Sequence, residues 1–353
     1  MIKKIIKIIG IFVLTIIVLF VGLIGYLAVT EFKPEEIMNL EIENKQSTKV
    51  NTDDEYKMMI WNLGYCALGE NTDFFMDGGK MVNTATKEEV INNLEGITKT
   101  IKDENLDFLM LQEVDVSSTR SKKINEVEYI KEHLEVFSSS FASNFKVNFL
   151  PYPIPPIGKV YSGVQTLSKY EVTDSFRKSL PVPFKWPVSM VNLKRCLNIS
   201  YLPIDGSEKK LVLINLHLEA YDDGEGKIEQ TKVLKSILEE EYEKGNYVIA
   251  GGDFNQTFKD YKDVYNSDNA PWKPGIIDLD DFDHFHPVAD SSYPTCRSLE
   301  TIYKGSNKDT FNYYLIDGYI ISDNIELEEI HTLNLDFVYS DHNPVVLNFK
   351  LHK

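Results

Sequence analysis

Cysteine is scarce in this chain of 353 residues, and this excludes a scaffold held together by a framework of disulfides. The three cysteines, Cys66, Cys196 and Cys296, are widely separated along the sequence. One disulfide is compatible with a location outside the cell, but the sequence does not identify its two partners. The apolar, strand-like surroundings of all three favour buried free thiols.

Basic side chains are also under-represented. The sequence contains 37 lysines and arginines against 54 aspartates and glutamates, which gives a net charge of −17. Such a charge repels polyanions at long range, so it disfavours DNA or RNA as a partner, although a local basic groove could still bind them. A solvated acidic surface that keeps the protein soluble is the simpler explanation of the charge.

Charged residues are absent from residues 8–29, a run of 22 positions. At about 1.5 Å per residue a helix of this length spans roughly 33 Å, which exceeds a hydrocarbon core of about 30 Å. This indicates a transmembrane signal anchor. A cleaved signal peptide is the alternative, but its apolar segment normally covers only about 7–15 residues and precedes a small-residue cleavage site.

The flanks of this run differ in charge, because lysines precede it and glutamates follow it. The positive-inside rule then places residues 1–7 in the cytoplasm and everything after residue 29 outside it, as a single-pass protein of the cell membrane. Residues 30–55 are mostly polar and predict a linker. Residues 56–353 predict one catalytic domain, because the motifs described below extend across nearly all of it.

The helix and strand signals predict an α/β domain. Thr86 and Glu89 form a capping-box pattern that opens a helix, with apolar residues along one face. Residues 228–244 predict a second helix that ends at Gly245. Short strands are expected at residues 146–149, 163–167, 198–202 and 211–215.

Four polar motifs lie at the ends of apolar strand-like segments. Asn62 follows residues 58–61, and Glu113 follows residues 108–112. Asp253 and Asn255 follow a third apolar segment, and the pair Asp341–His342 precedes a fourth. Carboxylate and amide oxygens suit a hard cation such as Mg²⁺, and a His–Asp pair can supply a general base. The pattern therefore indicates metal-assisted hydrolysis of a phosphate ester.

In this order the motifs resemble those of the endonuclease/exonuclease/phosphatase superfamily, which includes deoxyribonucleases, sphingomyelinases and inositol polyphosphate phosphatases. Two further segments, Ile214–Leu218 with its His217 and Leu315–Ile320 with its Asp317, strengthen the resemblance. It extends from about residue 57 to residue 351, and it is not specific to one substrate. It implies a four-layered α/β/β/α sandwich, here preceded by one transmembrane helix.

The resemblance also implies a metal site and a set of catalytic residues. Glu113, Asn62 and Asp341 are expected to hold Mg²⁺, with Mn²⁺ as the alternative ion. The catalytic residues implied by the resemblance are His342 as general base, Asp317 as the group that orients it, His217 near the phosphoryl oxygen or the leaving group, Asp253 on the attacking water, and Asn255 on the phosphate oxygens.

Arg120, Lys194 and Arg195 are weaker candidates that could bind a phosphate of the substrate; a surface or structural role is the alternative for each. Lys194 and Arg195 end a stretch from residue 159 that is locally basic within an acidic chain and rich in aromatic and proline residues. Such a stretch suits an anionic membrane surface or a phosphate-rich ligand, or it is a loop whose aromatics pack on the domain.

The sequence thus predicts a membrane-anchored, metal-dependent phosphoesterase that acts on a phosphate ester outside the cytoplasm. An extracytoplasmic nuclease is the alternative, which the acidic charge disfavours. A non-catalytic binding module that keeps the fold is a third hypothesis, and the presence of every expected acid, amide and imidazole argues against it.

Overall fold

The computed structural model describes residues 2–222, 224–265, 270 and 272–352. Its first element is the helix α1 (Ile2–Val29), which is long and apolar enough to cross a membrane. Most apolar side chains of α1 are exposed, whereas Leu27 near its end is buried. Lipid contact would account for this exposure, because an apolar helix of this length is otherwise found in a protein core.

In the part of the chain that the structure describes, three further α-helices belong to the domain: α2 (Lys87–Asp103), α3 (Glu126–His133) and α4 (Glu225–Glu243). The capping box at the start of α2 is confirmed, because the Thr86 hydroxyl accepts from the Glu89 amide and the Glu89 carboxylate accepts from the Thr86 amide. Helix α4 begins three residues before the predicted start. The Asp222 carboxylate accepts from the first-turn amides, an N-terminal cap that the apolar periodicity does not reveal.

The described residues form seventeen strands, each predicted strand lying within a longer one. Their bounds are β1 (Ile37–Asn39), β2 (Glu55–Asn62), β3 (Phe108–Asp115), β4 (Ser138–Leu150), β5 (Gly158–Ser168), β6 (Asp174–Ser179), β7 (Cys196–Pro203), β8 (Lys210–His217), β9 (Tyr247–Asp253), β10 (Gln256–Phe258), β11 (Gly275–Ile277), β12 (Phe285–Val288), β13 (Cys296–Arg297), β14 (Tyr313–Tyr314), β15 (Asp317–Ser322), β16 (Ile325–Thr332) and β17 (Val345–Leu351).

Two large sheets carry the fold. The first has the strand order β1-β6-β7-β8-β9-β15-β12, and the second has the order β16-β17-β2-β3-β5-β4. The strands β2 and β3 are parallel, as are β8 and β9. Because parallel strands end at the same edge of a sheet, the polar residues at the ends of these four strands are brought to one edge of the molecule.

Alternation along the strands places apolar side chains on both faces of each sheet. On β2, Met58 and Ile60 join the cluster between the sheets, whereas Met59 and Trp61 pack with α2 and α3 on the outer face. Helix α4 covers the outer face of the first sheet through residues such as Leu234. The layers are therefore α/β/β/α, which confirms the predicted fold class.

The predicted linker, residues 30–55, lies along the domain. Its residues 37–39 form β1, which pairs with β6, and Glu43 pairs with Ser139 through two backbone hydrogen bonds. Val50 is buried and bonds to the backbone of β7 and of the turn after it. Polar composition predicted a tether here, but the unpaired edge of β6 provides a backbone template on which a short polar strand is stable.

The three cysteines are buried free thiols, as the sequence predicts.

Candidate active site

The amide of Asn62 connects the two sheets at the edge where their parallel strands end. Its Nδ2 atom donates to the Asp253 carboxylate at 2.9 Å and lies 3.4 Å from the Glu113 carboxylate. Its Oδ1 atom accepts from the Gly64 backbone amide at 3.0 Å. In this orientation the amide nitrogen faces the carboxylates, so Asn62 holds the two acids in place.

Glu113 leaves the regular path of its strand. The pairing of β3 with β5 shifts register between Leu111 and Val114, and Glu113 has a φ of 52°. A bulge of this kind redirects a side chain, and a positive φ in a residue other than glycine often marks a functional position. The Glu113 side chain is 25% exposed, whereas the Asp253 and Asp317 side chains are each 2% exposed.

Asp253 lies at the centre of the cluster and is buried. It follows Gly252, whose φ of 140° and close approach to the Leu216 carbonyl leave no room for a side chain. Burial, reinforced by the charge of Asp317, raises the pKa of the Asp253 carboxyl to about 7. Its two oxygens accept from the Asn62 amide and from the Asn255 backbone amide.

His342 and Asp317 form a buried pair in which His342 Nδ1 lies 2.8 Å from Asp317 Oδ2. Burial alone would lower the pKa of His342, but the charge of Asp317 outweighs it and the pKa lies well above its usual value. The other ring nitrogen, Nε2, lies 3.9 Å from the Asp253 carboxylate. The pair thus presents Nε2 to the centre of the site, and the role of His342 as a general base stays a prediction.

His217 ends β8 directly opposite Asp253 in the parallel pairing. Its Nε2 atom lies 3.3 Å from Asp253 Oδ2 and 3.9 Å from Glu113 Oε1. Burial, together with the nearby charge of Arg195, lowers the pKa of His217 well below its usual value. The pKa values of the two histidines are therefore shifted in opposite directions, downward at position 217 and upward at position 342.

Asn255 has a φ of 51° and donates from its amide to the Leu218 carbonyl at 2.9 Å. This contact joins the loop after β9 to the loop after β8. In this structure the Asn255 side chain therefore fixes the loop that carries the catalytic candidates, and its contact with phosphate oxygens stays a prediction.

The acids at this edge fit a divalent cation. Asp341 is buried, and burial together with the charge of Glu113 raises the pKa of its carboxyl. Carboxylates that repel each other in this way are stabilised by a cation between them. Oxygen atoms from Glu113 and Asp341 are ligands that Mg²⁺ prefers, whereas Asn62 would need its amide turned by half a rotation to offer its oxygen.

Among the described residues, two groups of three side chains have ligand atoms within 4.8 Å of one another; neither includes Glu113, and both include His342. The first group consists of His342, Asp253 and Asp317, and in it the imidazole is hydrogen-bonded to Asp317 and lies between the two carboxylates. The second joins it to Asp341 and Cys296, and burial raises the pKa of the Cys296 thiol to about 12. A protonated thiol and a hydrogen-bonded imidazole fit a hard cation less well than the Glu113 and Asp341 carboxylates do.

The three predicted phosphate-binding residues all have protein partners. Arg120 forms two hydrogen bonds to the buried Asp115 carboxylate and stacks on the Tyr65 ring at 3.7 Å. Arg195 is buried near Glu219 and donates weakly, at 3.4 Å, to the His217 carbonyl. Both lie beneath site residues, where a structural role is well supported, and their contact with phosphate stays a prediction.

Lys194 lies further out. Its Nζ atom contacts the Glu31 carboxylate at 3.0 Å and the Ser189 carbonyl at 2.7 Å. Lys194 therefore connects the chain just after α1 to the loop before β7.

Some residues that support the site were not predicted from the sequence. The Thr295 hydroxyl accepts from the Asp317 backbone amide, and the Trp61 indole donates to the His342 carbonyl at 2.9 Å. Beneath the site, the Gln112 amide donates to the Asn215 side chain at 2.8 Å and joins the two sheets. Thr295 lies in an irregular segment and could not have been found, whereas Trp61 and Gln112 each adjoin a motif residue.

Acids, amides and imidazoles at one edge of an α/β/β/α sandwich are the arrangement expected of a phosphoester hydrolase. The chain belongs to the Endonuclease/Exonuclease/phosphatase family, which it matches over residues 59–300. Members of this family are typically hydrolases of phosphoester bonds that use divalent metals. No curated protein matches the sequence.

Solved structures share the fold at low sequence identity. The endonuclease/exonuclease/phosphatase of Beutenbergia cavernae DSM 12333 is 16% identical with a TM-score of 0.57, over 84% of this chain and 72% of that one. The corresponding protein of Bacteroides vulgatus is 14% identical with a TM-score of 0.54, over 85% and 100%. D. rerio TDP2 complexed with single strand DNA product is 14% identical with a TM-score of 0.51, over 84% and 100%.

Proposed function

We propose that this protein is a Mg²⁺-dependent phosphoesterase, anchored in the cell membrane by α1, that hydrolyses a phosphate ester outside the cytoplasm. The observation that carries the proposal is the convergence of the predicted residues. Asn62, Glu113, His217 and Asp253 contact one another across the two sheets, and His342 approaches the same carboxylate. These residues come from distant parts of the sequence, and ionisable groups with perturbed pKa values that converge in this way mark a candidate functional site.

The residues of the chain divide the chemistry among them. In its deprotonated form, His342 accepts a proton from the attacking water at Nε2, and Asp317 stabilises the imidazolium that results. Asp253 orients the water through its carboxylate, and the neutral His217 donates to a phosphoryl oxygen as charge builds there. Glu113 and Asp341 would hold the divalent cation, which would supply Lewis-acid polarisation of a phosphoryl oxygen.

The placement in the membrane rests on α1 and its flanks. Lysines precede the apolar run, and Glu31, Glu35 and Glu36 follow it, which favours a cytoplasmic N-terminus and an external domain. A glycosylation or protease-protection assay on the full chain in membranes tests this orientation. Protection of the catalytic domain by an intact, right-side-out membrane would contradict it.

A substrate panel tests the activity itself. The full chain is assayed with phospholipids, inositol phosphates, single- and double-stranded DNA and RNA, each with Mg²⁺, with Mn²⁺ and with a chelator. We expect metal-dependent release of product from a phospholipid or another small phosphate ester. Preferred cleavage of nucleic acid would identify a nuclease instead, and no hydrolysis of any ester would favour a binding module.

A further inference from the structure

The structure places the end of α1 at the same edge of the domain as the active site. Leu216, beside the catalytic candidate His217, pairs with Leu197 of β7, which in turn pairs with Lys178 of β6. Lys178 also pairs with Ile37, the first residue of β1. These four residues are paired side by side on neighbouring strands, so the segment that follows α1 lies at the same edge of the sheet as the active site.

The end of α1 is fixed there by side-chain contacts. The helix touches the short turn Val188–Val191, and Leu27 in its last turn is buried. Beyond the helix, Glu31 forms an ion pair with Lys194 in which both side chains are nearly buried. The domain is therefore held against the helix by packing and charge, so the membrane that α1 would span lies next to this edge.

Four large side chains project from the loops at this edge. Tyr152, Ile154, Trp186 and Val188 are 69%, 94%, 67% and 52% exposed, and we call them the apolar rim. Tryptophan and tyrosine favour the boundary between lipid and water. Exposed apolar groups of this size in neighbouring loops cost solubility unless they meet a partner surface.

Both loops of the apolar rim connect to the active site. The Tyr152 ring lies 6.0 Å from the Phe75 ring, and Phe75 begins the short turn that ends at Asp77. Asp77 accepts a hydrogen bond from the Tyr221 hydroxyl, four residues after His217. On the other side, Gln230 donates to the Pro181 carbonyl and accepts from the Glu219 amide, which ties the loop of Trp186 to the end of β8.

We propose that the apolar rim inserts into the outer leaflet of the bilayer that α1 spans, and that the active site takes its phosphate ester from the headgroups of membrane phospholipids. This inference rests on the proposed function and names its substrate class. A bilayer is the occupant that the structure favours, because the rim is continuous with the buried end of the apolar helix. Lys185, exposed beside Trp186, suits the anionic phosphates of such a surface.

Trp186 provides the direct test. The full chain is reconstituted in mixed phosphatidylcholine and phosphatidylglycerol vesicles, with and without bromine on the acyl chains, and tryptophan emission is compared with that of Trp186→Phe. The other two tryptophans, Trp61 and Trp272, donate hydrogen bonds to protein carbonyls, and Trp61 is buried. The difference in emission between the natural protein and the variant therefore reports on Trp186. We expect bromine to remove most of the difference signal. An unchanged signal would overturn insertion whatever the activity.

A second measurement tests the substrate class. The rate of hydrolysis of phospholipids in vesicles is divided by the rate of hydrolysis of water-soluble short-chain phospholipids that carry the same headgroups. We expect Trp186→Ser combined with Val188→Ser to lower this ratio about tenfold, a difference of about 1.4 kcal/mol. Val136→Ser is the matched control. Val136 is 60% exposed, which is close to the exposure of Val188, and it lies just before β4, at the end of the second sheet that is opposite to the active site.

The outcomes separate the two proposals. An unchanged ratio in the double variant, or turnover of soluble non-lipid esters alone, would contradict the lipid substrate. If no phosphate ester of any kind were hydrolysed, the proposed function would fail, while the emission of Trp186 would still decide whether the rim inserts.

Discussion

Replacing Asp317 with asparagine should nearly abolish turnover without unfolding the protein. The substitution keeps the size of the side chain but removes the charge next to His342 Nδ1, at 2.8 Å. An asparagine can also donate to Nδ1, which would leave the proton on Nε2. The imidazole would then face the water with its protonated nitrogen and could not accept a proton.

The magnitude follows from the electrostatics of the pair. Two unit charges with centres about 4 Å apart interact by about 4 kcal/mol at an effective dielectric constant of about 20. If that stabilisation of the imidazolium is lost in the transition state, kcat falls about 10³-fold. This lies within the 10²- to 10⁴-fold, approximately, that a positioned general base contributes. His342→Ala should be at least as damaging.

The assay measures kcat and KM on whichever ester the substrate panel identifies, together with thermal unfolding of each variant. Asp323→Asn is the matched control, because Asp323 Oδ2 pairs with His284 Nδ1 at 3.0 Å on the exposed surface. We expect this control to keep the activity of the natural protein. Turnover near the natural rate in a folded Asp317→Asn protein would refute the role of the pair, as would an equal loss in the control.

Three further substitutions test separate parts of the structure. Glu113→Gln should remove the rise in melting temperature that Mg²⁺ produces in the natural protein, and an undiminished rise would exclude Glu113 as a ligand. Arg120→Ala leaves the buried Asp115 carboxylate without its partner and should lower the free energy of unfolding by about 3–5 kcal/mol, as measured in denaturant; a fully stable variant with a raised KM would instead identify a phosphate contact. Gly252→Ala places a Cβ atom 2.1 Å from the Leu216 carbonyl, so it should lower the free energy of unfolding by about 1–3 kcal/mol and displace the neighbouring Asp253, with loss of kcat; unchanged stability and kcat would contradict this packing.

The sequence predicted the fold well because its strongest signals are local. Apolar strand segments that end in Asn62, Glu113 and Asp253 have the composition of buried strands, and the capping box before α2 has a fixed spacing. These patterns depend on neighbours along the chain, so they can be recognised without knowing which distant residues come into contact.

The orientations within the site depend on contacts that are distant in sequence. The spacing of motifs does not reveal that the Asn62 amide turns its nitrogen toward Asp253, or that the Arg120 guanidinium is held by Asp115 and Tyr65. Each arrangement is set by which partner lies across the sheet. Such pairings can be read only once the register of the strands is known.

The segment between α1 and the domain shows a similar limit. Its polar composition resembles that of a free linker, yet Ile37 and its neighbours form an edge strand, and Glu31 pairs with Lys194. Backbone pairing at a sheet edge places few demands on side chains, so composition carries little information about it.

The dependence of turnover on Mg²⁺ is the sharpest test of a metal-dependent phosphoesterase. The full chain is treated with chelator, freed of metal, and assayed on its phosphate ester as Mg²⁺ is added back. We expect no turnover without metal and a saturable recovery that is lost in Glu113→Gln. Full turnover in the metal-free protein would contradict the proposed metal dependence.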